Sequence, residues 1–512
     1  MLKKAAVLLA LVLALLAGLH LVFRPPPLEG RIASAAVQAS VGTPLGRLAL
    51  AGPEGQSGVV PLIEGPDAFA ARVALIRAAT QALDVQYYIW QRDATGLILL
   101  DELRRAAERG VRVRLLLDDN GIAGLDPDLA ALDALAGVEV RLFNPFILRR
   151  PKVLGYAFDF VRLNRRMHNK SLTADGAMSI LGGRNIGDIY FAFGEGVHYI
   201  DTDVLVAGPA AHAVGADFDR YWASGSAYPA GLILPAPQEE ALARLVADAD
   251  AAALSAEGRL YAGRLAQSNV VTAIGTGGQV LEWTRVALVS DDPAKGLGQA
   301  RVDDLLFPQL MALLAGPGRS VDLVSAYFVP GRRFTEALVG LAQSGTRVRI
   351  LTNSQNATDV ILVHGAYVKY RPDLLAAGVE LYELKPGFAA DPEEEERAPI
   401  GGSSRASLHS KIMAVDGREV FIGSFNFDPR SFGLNTEMGV LIDSPRLAAG
   451  LSGAFATTFL DASYRLSLQD GALVWEETVR GDAMRHEKEP GATPFSRLLL
   501  ALVGLLPIEW LL

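Results

Sequence analysis

Residues 165–185 read RRMHNKSLTADGAMSILGGRN, and residues 408–431 read LHSKIMAVDGREVFIGSFNFDPRS. The two stretches agree position by position. His168-x-Lys170 matches His409-x-Lys411. Each lysine is followed five positions on by an aspartate, Asp175 or Asp416, and each aspartate by a glycine turn. Gly-Gly-Arg-Asn ending at Asn185 matches Gly-Ser-Phe-Asn ending at Asn426. The alternation in HNKSLTAD and HSKIMAVD is that of a strand, so His and Lys at i and i+2 share one face. Asp-Gly closes each strand in a turn, and MSILGG or VFIGS returns as the hairpin partner. The glycines let the backbone approach whatever lies over the strand ends.

The repeat extends beyond the motif. RGVRVRLLLDDN at 109–120 resembles SGTRVRILTNSQ at 344–355, LDVQYYIW at 83–90 resembles VDLVSAYFVP at 321–330, and AGVEVRLFNP at 136–145 resembles AGVELYELKP at 377–386. The matches keep their order, so one domain is duplicated within the chain. In each half, helical stretches such as AFAARVALIRAATQA and GLILLDELRRAAERG alternate with apolar runs such as VRVRLLL. That order predicts an α/β fold, a sheet covered by helices on both faces. The halves are expected over residues 59–235 and 283–475, joined by a helical connector at 236–282. DPEEEER at 391–397, just before the second motif, reads as a solvated loop.

Length and composition agree. A chain of 512 residues is longer than one core usually organises. There is no cysteine, which excludes disulfides, thiolate metal sites and cysteine nucleophiles. A net charge of −9 argues against a protein that coats nucleic acid. At the start, Lys3 and Lys4 precede an uncharged apolar run at 5–23, closed by Arg24 and three prolines. That run has about the length of a membrane span. Residues 1–30 are expected to be a membrane anchor, with a cleaved signal segment as the competing reading. The leading lysines favour a cytoplasmic N-terminus and a body on the outer face of the inner membrane. Residues 476–512 form an extension whose tail, FSRLLLALVGLLPIEWLL, suits either a membrane interface or a docked helix.

Two facing copies of the motif would offer two imidazoles, two ammonium groups and two amides to one tetrahedral anion. This is phosphodiester chemistry. Lys170 and Lys411 neutralise non-bridging oxygens, and Asn185 and Asn426 bond to them. One neutral histidine attacks phosphorus, while the other, protonated, supplies a proton to the departing alkoxide. Matching Thr-Asp in DTDVLV (201–206) to Thr-Glu in NTEMGVLI (435–442) nominates Asp203 and Glu437 as the carboxylates that orient the imidazoles. Asp175 and Asp416 belong to the motif and are either catalytic or structural. His198, His212 and His364 have no twin and read as structural. No cofactor is needed, and the spacing suits no zinc or magnesium site.

The pattern His-x-Lys-x4-Asp-x6-Gly-(Gly/Ser)-x-Asn, present twice, resembles the phospholipase D superfamily. VRLLLDDN, LNRRMHNKS, GGRNIGD, FIGSFNFDPRS and LNTEMG resemble, within it, the bacterial cardiolipin synthases of the C-type branch. The resemblance covers about residues 60–512. It implies two α/β domains packed with pseudo-twofold symmetry, an active site at their interface and a covalent phosphohistidine. It also implies His168 as nucleophile and His409 as acid and base, an assignment that the internal symmetry leaves reversible. The implied reaction moves a phosphatidyl group from one phospholipid to phosphatidylglycerol, giving cardiolipin. The partners expected are anionic phospholipids and the bacterial membrane, with no nucleic acid. A hydrolytic phospholipase D, a nuclease and a non-catalytic membrane scaffold are the alternatives. Residues 141–170 carry eight Lys or Arg and one acid, Asp159, interleaved with aromatics. This stretch, including Arg165 and Arg166, is expected to dock on anionic headgroups. Asp292 to Lys295 is a further expected headgroup contact.

Overall fold

The structure, a computed structural model, describes every residue except 1, 30, 269–280, 316–317, 388–406, 480–481, 495, 497–499, 501–508 and 512. The loop at 391–397 and most of the apolar tail therefore lie outside the described residues.

Each half is built on one mixed sheet. In the first, the strand order is Glu282–Thr284, Ser57–Leu62, Asp203–Ala207, Met178–Gly182, Ser171–Ala174, Ala82–Ile89, Arg112–Gly121, Val138–Phe143 and Ala227–Pro229. Ala82–Ile89, Arg112–Gly121 and Val138–Phe143 run parallel, linked by the helices Ala94–Glu108 and Asp126–Asp133. The second sheet repeats this plan. Ser320–Ser325, Arg347–Asn353 and Glu380–Leu384 run parallel, and Lys411–Val415 and Glu419–Gly423 form the antiparallel hairpin. Lys411–Val415 also pairs with Ser320–Ser325, as Ser171–Ala174 pairs with Ala82–Ile89. The duplicated α/β fold expected from the sequence is present.

The half boundaries differ from expectation. Glu282–Thr284 adds to the edge of the first sheet, and Val286–Ser290 begins the second. The chain thus changes sheets at Arg285. At the other end, Ala472–Val479 and Asp482–His486 extend the second sheet past residue 475. Residues 31–50 also belong to the first half: Arg31 donates to the Ser224 carbonyl at 2.7 Å, and Ala36 N–H to Asp219 at 2.8 Å. The connector is helical over Ala241–Leu254 and Ala256–Ala266.

Each half has its own apolar core. A third cluster is shared: Val59, Leu181, Val204, Val206 and Val214 of the first half pack with Ala414, Val420, Ile422, Val440 and Ile442 of the second. Buried apolar area of this kind holds the two sheets as one body. The duplication also repeats a charged detail. In the first half Arg114 Nε bonds Asp84 at 2.7 Å, and in the second Arg349 bonds Asp322 at 2.7 and 2.8 Å, all four buried. Removing one member of such a pair strands a charge in low dielectric. Arg349→Met is expected to cost about 3–5 kcal/mol, read as a fall in the thermal midpoint of the purified protein.

Candidate active site

Residues 167–170 and 408–411 cross to the opposite half before entering their hairpins. Met167 pairs in parallel with Thr436, with His168 N–H donating to the Thr436 carbonyl at 2.9 Å. Leu408 pairs in parallel with Ile200, with His409 N–H donating to the Ile200 carbonyl at 2.7 Å. In both crossings, the residue before the histidine faces the residue before a carboxylate. Each imidazole is therefore oriented by the other half: His168 Nδ1 lies 2.8 Å from Glu437 Oε2, and His409 Nδ1 lies 2.6 Å from Asp201 Oδ2. An ionised carboxylate accepts only, so each Nδ1 carries the proton. Nε2 is left with its lone pair.

Glu437 stands where the sequence predicts it. It is held by Ser424 Oγ at 2.6 Å and Ser431 Oγ at 2.8 Å. Asp203 does not orient a histidine, and this expectation is corrected. It is buried against Arg72 at 2.8 Å and accepts from Arg184 N–H at 3.1 Å. Asp201 takes the place at His409. The reason is register: by alignment Thr202 is the twin of Thr436, but Leu408 pairs with Ile200, two residues earlier. A two-residue slip keeps side chains on the same face, so it exchanges Asp203 for Asp201 without turning the strand over. DTD contains both carboxylates at that spacing, and only the pairing register chooses between them.

The lysines fold back towards their own histidines. Lys170 Nζ donates to the His168 carbonyl at 2.6 Å, and Lys411 Nζ to that of His409. Tyrosines, not foreseen from the motif, wall the pocket. Tyr88 meets His168 edge-on at 5.0 Å and lies under Lys170 Nζ at 5.5 Å. Tyr199 stacks on His409 at 4.9 Å, and Tyr327 lies under Lys411 Nζ at 5.9 Å. Both phenols donate to Asp359, at 2.9 and 2.7 Å. Asn185 is engaged by protein: its Oδ1 accepts from Ile89 N–H at 3.1 Å and its Nδ2 donates to Tyr190 Oη at 2.9 Å. Its twin Asn426 is buried, and its Oδ1 has no partner among the described residues.

Asp175 and Asp416 lie at the far ends of their hairpins. Asp175 has φ +52° and accepts from the N–H groups of Thr80, Gln81 and Ala82, where the strand Ala82–Ile89 begins. Asp416 has φ +56° and accepts from those of Arg319 and Ser320. Tyr88, which touches His168, is six residues along the strand from Ala82, about 20 Å at 3.3 Å per residue. The expectation of a catalytic part for these aspartates is corrected: they tie the turn to the neighbouring strand. The basic stretch is corrected too. Arg141, Arg149, Lys152, Arg162 and Arg166 are ion-paired with Glu139, Asp119 and Asp126, Asp119, Asp159 and Asp118 respectively. Arg166 is fully buried, and Met167 N–H donates to the same Asp118 at 2.8 Å. Lys295 is likewise no headgroup contact. It is buried on Asp291 at 2.8 Å, and Asp291 accepts from Glu437 N–H at 2.8 Å, which fixes the strand carrying that carboxylate.

The pocket is buried and cationic. Burial, with Lys170, Lys411 and His409 nearby, holds the His168 imidazole well below its ordinary value. Burial and Lys411 lower His409 as well, opposed by Asp201. Burial pulls Lys170 down to about 7, and lowers Lys411 in the same way. Asp201, pushed up by burial, is held below the usual carboxylate range by His409, Lys411 and Arg184. A phosphate anion among these groups would favour their charged forms. Among the described residues there is no cluster of His, Asp and Glu that could hold a metal.

The comparisons with known proteins agree with this geometry. Residues 73–222 and 310–458 match the family described as cardiolipin synthase, PLD-like domain. The chain is 45% identical over 459 residues to cardiolipin synthase C of Escherichia coli (strain K12), covering 90% of this chain and 97% of that one. It is 29% identical over 387 residues to a cardiolipin synthase of Geobacillus kaustophilus (strain HTA426), covering 74% and 62%. Among solved structures, the phosphatidylserine synthase of Haemophilus influenzae Rd KW20 superposes with a TM-score of 0.57 at 14% identity, over 91% of this chain and 100% of that one. That likeness speaks to the fold alone. The fold is that of a duplicated phospholipase D-like protein. The chain belongs to the cardiolipin synthase, PLD-like domain family.

Two outcomes are expected. Asp201→Asn leaves the His409 imidazole without an ionic partner and is expected to lower turnover by about 10²- to 10⁴-fold, measured as product formed per minute from labelled phospholipid. The second concerns pH. In the fold both imidazoles stay neutral below the ordinary value of 6.5, where an unfolded chain takes up their protons. The unfolded state then binds more protons, so this stability is present above about pH 6.5 and lost as pH falls. The drop in thermal midpoint between about pH 7 and about pH 5.5 is expected to be smaller in the His168→Gln, His409→Gln double variant.

Proposed function

We propose that this protein is a membrane-anchored phosphatidyltransferase that makes cardiolipin through a phosphohistidine. The observation that carries the reading is the reciprocal pair of imidazole–carboxylate contacts, His168 with Glu437 and His409 with Asp201, in one buried pocket with Lys170 and Lys411. Membership of the family and the relatives named above support the lipid as substrate. The helix Leu2–Val22 is long and apolar enough to cross a membrane by length and composition, and supports the anchor. The two leading lysines favour an outer-face body.

His168 is the nucleophile in this reading. Burial and the surrounding cations all oppose protonation of His168, whereas Asp201 favours the charged form of His409, so the Nε2 lone pair of His168 is the one available. That nitrogen attacks the phosphorus of a phosphatidyl donor, here taken to be phosphatidylglycerol. The bound anion favours the charged form of His409, and the P–O bond to the leaving glycerol breaks as the protonated His409 delivers its Nε2 proton to that oxygen. Asp201 stabilises the imidazolium that this role requires. The primary hydroxyl of a second phosphatidylglycerol then attacks the phosphohistidine. His409 takes its proton, and the P–N bond breaks. One phosphodiester is exchanged for another, so no nucleotide is consumed. Lys170 and Lys411 neutralise the non-bridging oxygens, and Asn426 donates to them through its Nδ2.

The test uses two donors. Detergent-solubilised protein with phosphatidylglycerol is expected to yield cardiolipin and glycerol. Phosphatidic acid as the sole product would make it a hydrolase, and cleavage of DNA without lipid turnover would sink the lipid reading. A donor with a p-nitrophenol leaving group needs no proton. His409→Ala is then expected to release one equivalent of nitrophenol and stall, while His168→Ala releases none, slowed roughly 10⁴- to 10⁶-fold. The opposite pattern would reverse the two assignments.

A further inference from the structure

With Arg141, Arg149, Lys152, Arg162 and Arg166 ion-paired internally, the 141–170 stretch turns an apolar face outward. Val153 and Val161 are 68% and 71% exposed, Leu154 and Phe160 are also exposed, and Trp510 at the other end of the chain lies edge-on to Phe160 at 6.5 Å. Contiguous apolar groups are not left in water without a partner. The anchor says which partner. Leu2–Val22 has 21 residues, and at about 1.5 Å each it spans about the hydrocarbon core of a bilayer. Its outgoing end rests on the helix Tyr156–Leu163: His20 Nδ1 bonds the Phe158 carbonyl at 3.0 Å, and Phe23 stacks on Phe158 at 5.4 Å. The membrane surface at that end therefore coincides with the apolar face. The same face leads to the site. Tyr156, packed on Phe160 at 6.3 Å, donates to Asn120 at 3.3 Å; Asn120 donates to Tyr88 at 3.3 Å; and Tyr88 touches His168.

We propose that Val153, Leu154, Phe160 and Val161, with Trp510, form a wedge that inserts into the lipid surface beside the anchoring helix and holds the His168 side of the pocket against the bilayer. Aromatic and aliphatic side chains at this depth are those that partition to a membrane interface. The wedge draws a lipid's headgroup past Tyr156 and Tyr88 while its acyl chains remain in the membrane. It rests on reading Leu2–Val22 as an anchor, and it does not depend on which reaction follows.

The chain has no cysteine, so single cysteines can be introduced without background. Full-length Val153→Cys, Val161→Cys, Leu13→Cys and Arg418→Cys are each labelled with a nitroxide in vesicles of phosphatidylethanolamine and phosphatidylglycerol. Arg418 is exposed at the hairpin end remote from His409, and serves as the aqueous reference. Relaxation by oxygen reports lipid, and relaxation by a nickel chelate reports water. The expected result is that positions 153 and 161 follow oxygen, as position 13 does, and position 418 follows nickel. Positions 153 and 161 following nickel with position 13 buried would overturn the wedge and leave the anchor standing. Position 13 following nickel would overturn both. None of these readings requires turnover, so failure of the proposed chemistry is seen separately.

Discussion

His168 and His409 are each oriented by the half of the chain that does not contain it. Met167 against Thr436 and Leu408 against Ile200 are short parallel pairings, a few backbone hydrogen bonds each. They bring Glu437 to His168 and Asp201 to His409. Neither half alone sets the tautomer of either of these two histidines. The shared apolar cluster between the sheets is what makes these few bonds sufficient, because it holds the two halves against each other at the crossings. Support reaches further back through Arg166 on Asp118, beneath one crossing, and Lys295 on Asp291, beneath Glu437.

Burial governs the chemistry as much as proximity does. Two lysines and two imidazoles share a buried pocket, and desolvation is the first cause lowering all four. Such a site binds cations of its own poorly and a phosphodiester well, because the anion returns the electrostatic partner that water would have supplied. The two halves are nevertheless unequal. His409 sits on an Asp held ionised by His409, Lys411 and Arg184, whereas burial raises the Glu437 that serves His168. The duplication has kept the groups and given the two imidazoles different electrostatic partners.

The charged stretch at 141–170 shows how composition misleads. Its cations have partners close in space: Asp118 and Asp119 lie on or beside the end of a neighbouring strand, and Asp126 begins a helix. Those ion pairs organise the segment and leave valines, a leucine and a phenylalanine facing outward next to the anchor. The contact proposed with a lipid surface is therefore apolar, made by the side chains that those ion pairs leave outside.

The duplication, the α/β class, the hairpins and the functional groups were legible because they are local. Alternation set His and Lys on one face, Asp-Gly set the turns, and two matched copies implied a site that needs both. What the sequence could not decide was long-range register. Asp201 and Asp203 share a strand face, and only the pairing of Leu408 with Ile200 sends the first to His409 and leaves the second to Arg72. Asp175 and Asp416 travel with the motif, yet they serve the far ends of the hairpins, a distinction of distance that linear spacing does not carry. The chain by itself determined which groups are available and which faces they share. Tertiary structure alone decided which carboxylate meets which imidazole and which cations stay free, because those contacts cross between strands and halves whose separation in space bears no relation to their separation in sequence.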